Sequence, residues 1–335
     1  MSIGRRAVVT GGGGFLGGIV VRKLLEEGYE VSSYSRKEYA HLEKMGAGTL
    51  KGDICDQKRT LEAFRDFDVV IHVAAKVGYW GEREDFRLVN VEGTKNVIEA
   101  CRKSGIRNLV YTCSPSVVFD GKDQKGLDEG APYPRRYDSF YSKSKAEAER
   151  IVLGANSEEL RTISLRPHLV WGPGDTHIIP GIIQRAKEGK MVRVGSGKNI
   201  ADMVYVDNAA DAHVLADRAL DSNPESRGKA YFITNDEPRN VWDFIDEILR
   251  SAGLDPVKRT VPRGAAMVGA TFMELFYSLF KKGEEPNLTR FLIRELTASH
   301  WYDISAAKRD LGYRPKVSMD EGLERLEKWF RSGNA

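Results

Sequence analysis

The stretch Val8-Val9-Thr10-Gly11-Gly12-Gly13-Gly14-Phe15-Leu16-Gly17 decides the fold. An apolar strand pattern over 6–10 runs into it, and a helical pattern over 14–27 runs out of it. Between them Gly11, Gly14 and Gly17 are spaced GxxGxxG. A residue without Cβ lets the backbone turn tightly and lets a pyrophosphate approach the amides of a helix N-terminus. Glycines alone fit any flexible strand–helix turn. Their place after a strand and at the opening of a helix makes them a dinucleotide-phosphate loop, with Phe15 and Leu16 beside the ligand.

Working outward, strand-like runs at 7–10, 29–34, 69–73, 109–112 and 162–165 alternate with helical stretches at 14–27, 84–103 and 140–153. Such alternation predicts a parallel sheet covered by helices on both faces, with ligands beyond the carboxyl ends of its strands. Past residue 166 the pattern breaks up around Pro167, Pro173 and Pro180. A helix over 207–219 and a strand over 230–234 return to the sheet, and the chain from about 240 is mostly helical. The expected α/β fold is a Rossmann-type, doubly wound parallel sheet over 1–166, joined by 203–236. A smaller, mostly helical substrate-binding domain takes 167–202 and 237–335.

Composition narrows the function. The chain has 335 residues, 41% hydrophobic and 30% charged, which is enough to bury a core without staples. Its 51 basic and 48 acidic residues leave +3, with no long basic run, so nucleic acid is not an expected partner. Cys55, Cys101 and Cys113 form no CxxC pair, which argues against a disulfide framework or zinc ribbon and for a reducing compartment. Neither a signal-peptide pattern nor a run of 18 apolar residues is present, so the expected location is the cytoplasm. The six histidines show no HExxH spacing, and no metal is expected.

The second strand ends in Tyr34-Ser35-Arg36-Lys37. The fork of Arg36 suits a ribose 2′-phosphate, which favours NADP(H) over NAD(H); the alternatives are a solvated Arg36 and a ribose held by Glu38. Asp53 and Ile54 lie between the strand-like runs 29–34 and 69–73, where Asp53 reads as an acceptor for an adenine amino group or as a turn aspartate.

Tyr141-Ser142-Lys143-Ser144-Lys145 opens a predicted helix, so Tyr141 and Lys145 share one face about 6 Å apart along the axis. A nearby ammonium favours the phenolate and would make Tyr141 a proton shuttle near neutral pH. Lys145 is also placed to hold a nicotinamide ribose. A hydroxyl at the end of the 109–112 strand completes the set: Ser114, with Ser116 as its rival, Thr112 in the strand and Cys113 as a packed thiol. His72 reads as a strand residue, whereas His168 and His177 follow the 162–165 strand, where cofactor or substrate passes.

With these residues in place the chain resembles the extended short-chain dehydrogenase/reductase superfamily. Its pattern is met by Gly11–Gly17, Ser114, and Tyr141 with Lys145. Ala74-Ala75, the 89–94 stretch, and Arg166-Pro167-His168-Leu169-Val170-Trp171-Gly172-Pro173-Gly174-Asp175 match as well. The last stretch, with Gly189-Lys190 and Tyr205-Val206-Asp207-Asn208-Ala209, looks like the 3β-hydroxysteroid dehydrogenase branch. Residues 74–81, 288–292 and 299–302 are similar to the 2-alkyl-3-oxoalkanoate reductases of bacterial long-chain olefin synthesis. Cys113 stands where a serine is common. The resemblance implies reversible reduction of a 3-oxo to a 3-hydroxy acid, with Tyr141 protonating the oxygen and Ser114 orienting it. It also implies cofactor contacts from Ala74, Ala75, Lys76, Pro167 and His168, and a homodimer.

Tyr79, Trp80 and Trp171, read as loop residues, would line an apolar substrate pocket with Ser116 and His177. Residues 264–280 carry one charge, Glu274, and precede Lys281-Lys282; they read as a lid, an interfacial helix touching a membrane or a lipid-pathway enzyme, or a buried core helix. The competing functions are a sterol dehydrogenase, a nucleotide-sugar epimerase or dehydratase using the same triad, and a non-catalytic cofactor sensor.

Overall fold

Seven strands, rich in β-branched residues and mostly buried on both faces, build the centre of the computed structural model, which describes residues 4–280, 286 and 288–333. They are β1 (Arg6–Thr10), β2 (Glu30–Ser35), β3 (Gly48–Lys51), β4 (Val69–His72), β5 (Asn108–Thr112), β6 (Arg161–Pro167) and β7 (Lys229–Ile233). The order across the sheet is β7-β6-β5-β4-β1-β2-β3, parallel at every pairing. Val8, Val9, Val69, Val70, Leu109 and Val110 are fully buried, as helices on both faces require. The strand order reverses between β1 and β4, and a crevice for ligand opens at their carboxyl ends.

The helix expected over 84–103 is interrupted. It runs as Arg83–Phe86, a wide π-helical stretch Arg87–Glu92, and Gly93–Ser104. Such stretches are rare and tend to occur where a side chain must be aimed. Here the wide turn carries Asn90, which is buried.

A second apolar core gathers Trp171, Trp242, Phe244, Ile248, Met319 and Leu326. The helix Phe15–Glu26 joins the two cores, because Leu16 and Ile19 pack against both. A four-stranded sheet sets His300–Tyr302 between Ile200–Ala201 and Gln124–Leu127, which draws the C-terminal part of the chain over the carboxyl ends of the main sheet.

The helix Arg263–Phe280 is not a core helix: only Ala266 and Ala270 are buried. Val268, Phe272, Leu275, Phe276, Leu279 and Phe280 are exposed, Phe272 by 68% and Phe280 by 72%. Lys281 and Lys282 lie outside the described residues. Among the described residues, no helix is long and apolar enough to cross a membrane, and no group of three or more His, Cys, Asp or Glu could hold a metal.

Candidate active site

The glycine loop closes on itself. Gly11 sits at φ +71, where a side chain is strained, and a Cβ there would come within 2.9 Å of the Ala74 Cα. A Cβ on Gly17 would lie 2.2 Å from the Gly11 carbonyl oxygen. Gly14 caps the helix with no side-chain hydrogen bond, so the first amides are free to meet an anion. The loop therefore fits a dinucleotide pyrophosphate. Tyr39 lies over Gly13, where a Cβ would strike its ring.

A buried chain of hydrogen bonds ties β1 to β4 at the crevice. The Ala74 N–H donates to Thr10 Oγ1 (3.1 Å), Thr10 meets His72 Nδ1 (2.7 Å), His72 Nε2 meets Thr94 Oγ1 (3.0 Å), and Thr94 donates to the Asn90 carbonyl (2.7 Å). With the Thr94 proton spent on Asn90, His72 must donate from Nε2 and accept at Nδ1, which makes it a neutral ring. Burial, helped by the charge of Lys145, pushes its pKa down to about 3. His72 is thus a structural strand residue. Asn90 then pins the loop after β4 to the helix Phe140–Gly154: its Oδ1 accepts from the Lys76 N–H (2.7 Å), and its Nδ2 donates to the Lys76 carbonyl (3.0 Å) and Ser144 Oγ (2.9 Å).

Arg36 is exposed just past β2 and, among the described residues, forms no ion pair. Asp53 Oδ1 accepts from the Cys55 N–H (2.9 Å), closing a turn. Ile54 is buried against Gly93, and its carbonyl accepts from Asn96 Nδ2 (2.9 Å). The Lys76 ammonium meets Asp85 (2.8 Å).

The helix Phe140–Gly154 starts where Ser139 Oγ accepts from the Ser142 N–H (3.1 Å), a side-chain cap that sets Tyr141 in the first turn. Lys145 is buried, with its ammonium 2.6 Å from the Thr112 carbonyl and 4.1 Å from the centre of the Tyr111 ring. Desolvation pulls its pKa down to about 8. Ser114 Oγ accepts from the Ser116 N–H (3.2 Å) and donates to Ser116 Oγ (3.0 Å), and Ser114 beside Tyr141 opposes the rise of the phenol. Ser116 is buried behind Ser114.

One expectation is corrected here. The phenol of Tyr141 is raised, not lowered: desolvation dominates, and Cys113 and Glu295 add to it. The ammonium of Lys145 is aimed at Thr112 and does not offset that rise. Beneath this pair, Arg166 forks onto Glu149 through two 2.9 Å bonds, and Glu149 also accepts from Ser164 Oγ (2.7 Å) and the Tyr133 hydroxyl (2.7 Å). Both ionic partners are buried, and the spacing of sequence motifs held no sign of them.

Two further expectations change. Trp171 does not line a pocket loop. It lies in a short strand, Val170–Trp171, paired with Val204–Tyr205, and is fully buried between Tyr205 (5.4 Å) and Phe244 (4.9 Å). His168 has both ring nitrogens engaged, Nδ1 with Asp202 (2.5 Å) and Nε2 with His300 Nδ1 (3.1 Å), so its side chain is not free for a cofactor. Pro167 ends β6, and His177 is exposed just before the helix Ile178–Lys187, where Asp175 accepts from its N–H (2.8 Å). Trp80 is half-buried beside Tyr79.

A helix from the far end of the chain, Arg290–Thr297, roofs the site. Phe291 packs on Tyr79 (4.9 Å) and Phe119 (6.2 Å), and Arg294 pairs with Asp138, three residues before Tyr141. Glu295 on this helix, unforeseen in the sequence, reaches Tyr141 electrostatically.

A glycine-lined crevice at the β1/β4 reversal, with a serine, a tyrosine and a lysine around it, defines an NAD(P)-dependent oxidoreductase of the extended short-chain dehydrogenase/reductase type. Residues 8–263 match the model of the 3-beta hydroxysteroid dehydrogenase/isomerase family, and the chain belongs to that family. It is 43% identical over 329 residues to the 2-alkyl-3-oxoalkanoate reductase of Shewanella oneidensis, covering 96% of this chain and 85% of that one. It is 35% identical over 335 residues to the decarboxylating sterol-4-alpha-carboxylate 3-dehydrogenase of Mus musculus, covering 98% and 92%. Its fold is that of the UDP-glucose 4-epimerase of Thermotoga maritima, at a TM-score of 0.75 and 21% identity over 98% of this chain and 100% of that one.

Proposed function

We propose that the protein interconverts a 3-oxo and a 3-hydroxy group on a long-chain 2-alkyl acid, with NADP(H) preferred over NAD(H). The observation that carries the chemistry is the Tyr141 phenol beside Ser114, just past the end of β5, with Lys145 one helical turn away. The substrate class rests on the 43% identity to the Shewanella reductase. A bound dinucleotide supplies or accepts the hydride.

The chain's own residues do the rest. Ser114, braced by Ser116, holds the substrate oxygen, and Tyr141 gives it a proton in reduction or takes one in oxidation. Lys145 holds the nicotinamide ribose from its place one helical turn beyond Tyr141. The glycine loop takes the pyrophosphate, and exposed Arg36 takes the 2′-phosphate. In this reading 1–166 with 203–236 hold the cofactor, and 167–202 with 237–335 hold an apolar substrate. The exposed stripe from Val268 to Phe280 supports peripheral contact with a membrane or with another enzyme of olefin synthesis, and the protein works as a cytoplasmic homodimer.

The test is reduction of NADP⁺ and NAD⁺ with a panel of long-chain 2-alkyl-3-hydroxy acids, 3β-hydroxysterols and nucleotide sugars. Turnover of the hydroxy acids, faster with NADP⁺, is expected. Turnover of sterols alone would move the substrate to the sterol branch, and turnover of nucleotide sugars alone would overturn the reading.

A further inference from the structure

Gly13 has a backbone that any residue could adopt, since its φ lies outside the left-handed region. What excludes a side chain there is Tyr39. A Cβ on Gly13 would fall 2.0 Å from Cε2 of the Tyr39 ring and 2.3 Å from Cδ2 and Cζ. One edge of the ring therefore lies directly against the phosphate loop. The hydroxyl, one bond beyond Cζ, is held beside that loop.

The ring is anchored on its own side as well. Tyr39 stands at the start of the short helix Ala40–Lys44, and its carbonyl accepts from the N–H of the fully buried Leu42 (2.9 Å). Its ring meets that of His41 edge-on at 5.7 Å. The part of the loop it touches belongs to the adenosine end of the crevice. The Gly11 N–H donates to the carbonyl of Tyr34 in β2 (3.0 Å), and a Cβ on Gly12 would strike Ser33 Oγ of the same strand. Gly11–Gly13 thus run along β2, whereas the helix amides that suit a pyrophosphate begin beyond Gly14. A dinucleotide in such a fold lays its adenosine ribose at the end of the second strand, where Arg36 stands exposed. Tyr39 closes the gap between that strand end and the loop, and among the described residues its hydroxyl forms no hydrogen bond.

Resting on the reading that the chain prefers NADP(H), we propose that Tyr39 is a second cofactor-specificity residue, whose hydroxyl donates a hydrogen bond to the 2′-phosphate alongside the Arg36 guanidinium. A phosphate group offers three strong acceptor oxygens, more than one guanidinium fork fills, so a neutral donor adds to the charge of Arg36 without competing with it. NAD(H) has a ribose hydroxyl at that place and gains less from the same donor. The charges around the site divide: Arg36 and Lys37 attract the phosphate, Glu38 opposes it, and all three are exposed. Salt screens exposed charges. A phenol seated on the loop keeps its hydrogen bond at high ionic strength, and Gly13 is the residue that makes room for it.

The test uses fragments that carry the adenosine end alone. Adenosine 2′,5′-bisphosphate and adenosine 5′-monophosphate are titrated calorimetrically into the cofactor-free protein at low salt and at about 0.5 M salt. The unmodified protein should bind the bisphosphate more tightly. Tyr39→Phe keeps the ring on Gly13 and removes the donor. Its affinity for the bisphosphate should fall by about five- to twentyfold at either salt, with that for the monophosphate unchanged. Gly13→Ala drives the ring off the loop and should reproduce that selective loss, and adding Tyr39→Phe to it should cost nothing further. Additive losses in the double variant would overturn the seating of the hydroxyl by Gly13. An unchanged ratio of the two affinities in Tyr39→Phe, or an equal loss for both fragments, would overturn the role of Tyr39 while leaving the NADP(H) reading intact. Equal binding of the two fragments by the unmodified protein would remove both.

Discussion

The ammonium of Lys145 donates a 2.6 Å hydrogen bond to the carbonyl oxygen of Thr112, the last residue of β5. It therefore bridges the helix Phe140–Gly154 to the end of the strand that leads to Ser114, and does not face Tyr141. The cost is a buried charge, which burial alone drives toward neutrality near pH 8.

That cost should be measurable. Because the folded pKa lies below the unfolded one, the unfolded chain binds the proton more tightly, and the penalty is complete below about pH 8 and fades toward pH 10.5. Lys145→Met should therefore raise the unfolding free energy of the cofactor-free protein at pH 7 by about 1–3 kcal/mol while abolishing turnover. Urea unfolding at pH 7 and at about pH 10 checks this, and the stabilisation should shrink at the higher pH.

Arg36 is exposed beyond β2, and its substitution should leave the fold alone. Arg36→Asp removes a charge-assisted fork and sets a carboxylate against a 2′-phosphate, so the affinity for NADPH should fall by about 10- to 100-fold while that for NADH changes little. Fluorescence titration with both dinucleotides decides it. Equal losses would make Arg36 a bystander.

The Glu149–Arg166 pair, buried on both sides, ties the helix Phe140–Gly154 to β6. Its strength lies in being complete, since an orphaned guanidinium there cannot reach water. Glu149→Ala should destabilise the protein by about 3–5 kcal/mol in chemical denaturation, and the double variant Glu149→Leu with Arg166→Met should recover much of that.

How much of this was legible in the sequence depends on whether the determinants are local. The glycine loop, the YxxxK turn and the strand–helix alternation are short-range patterns, and all appear where expected, with β7 returning to the sheet edge. Asn90, Glu149 and His300 act through partners 14 to 132 residues away, so no spacing announces them. Trp171 was misplaced because a Pro- and Gly-rich stretch conceals a two-residue strand that carries it into the second core. The phenol of Tyr141 was misjudged for a related reason. Four-residue spacing fixes where Lys145 starts, and only the fold decides that its ammonium ends at Thr112.

In the proposed reaction Tyr141 moves the proton at the substrate oxygen. Single-turnover oxidation of a long-chain 2-alkyl-3-hydroxy acid by NADP⁺, compared between the unmodified protein and Tyr141→Phe with cofactor affinity measured alongside, tests it most directly. The account predicts a rate lower by about 10²- to 10⁴-fold with cofactor affinity nearly unchanged. A variant that keeps most of the rate would contradict it.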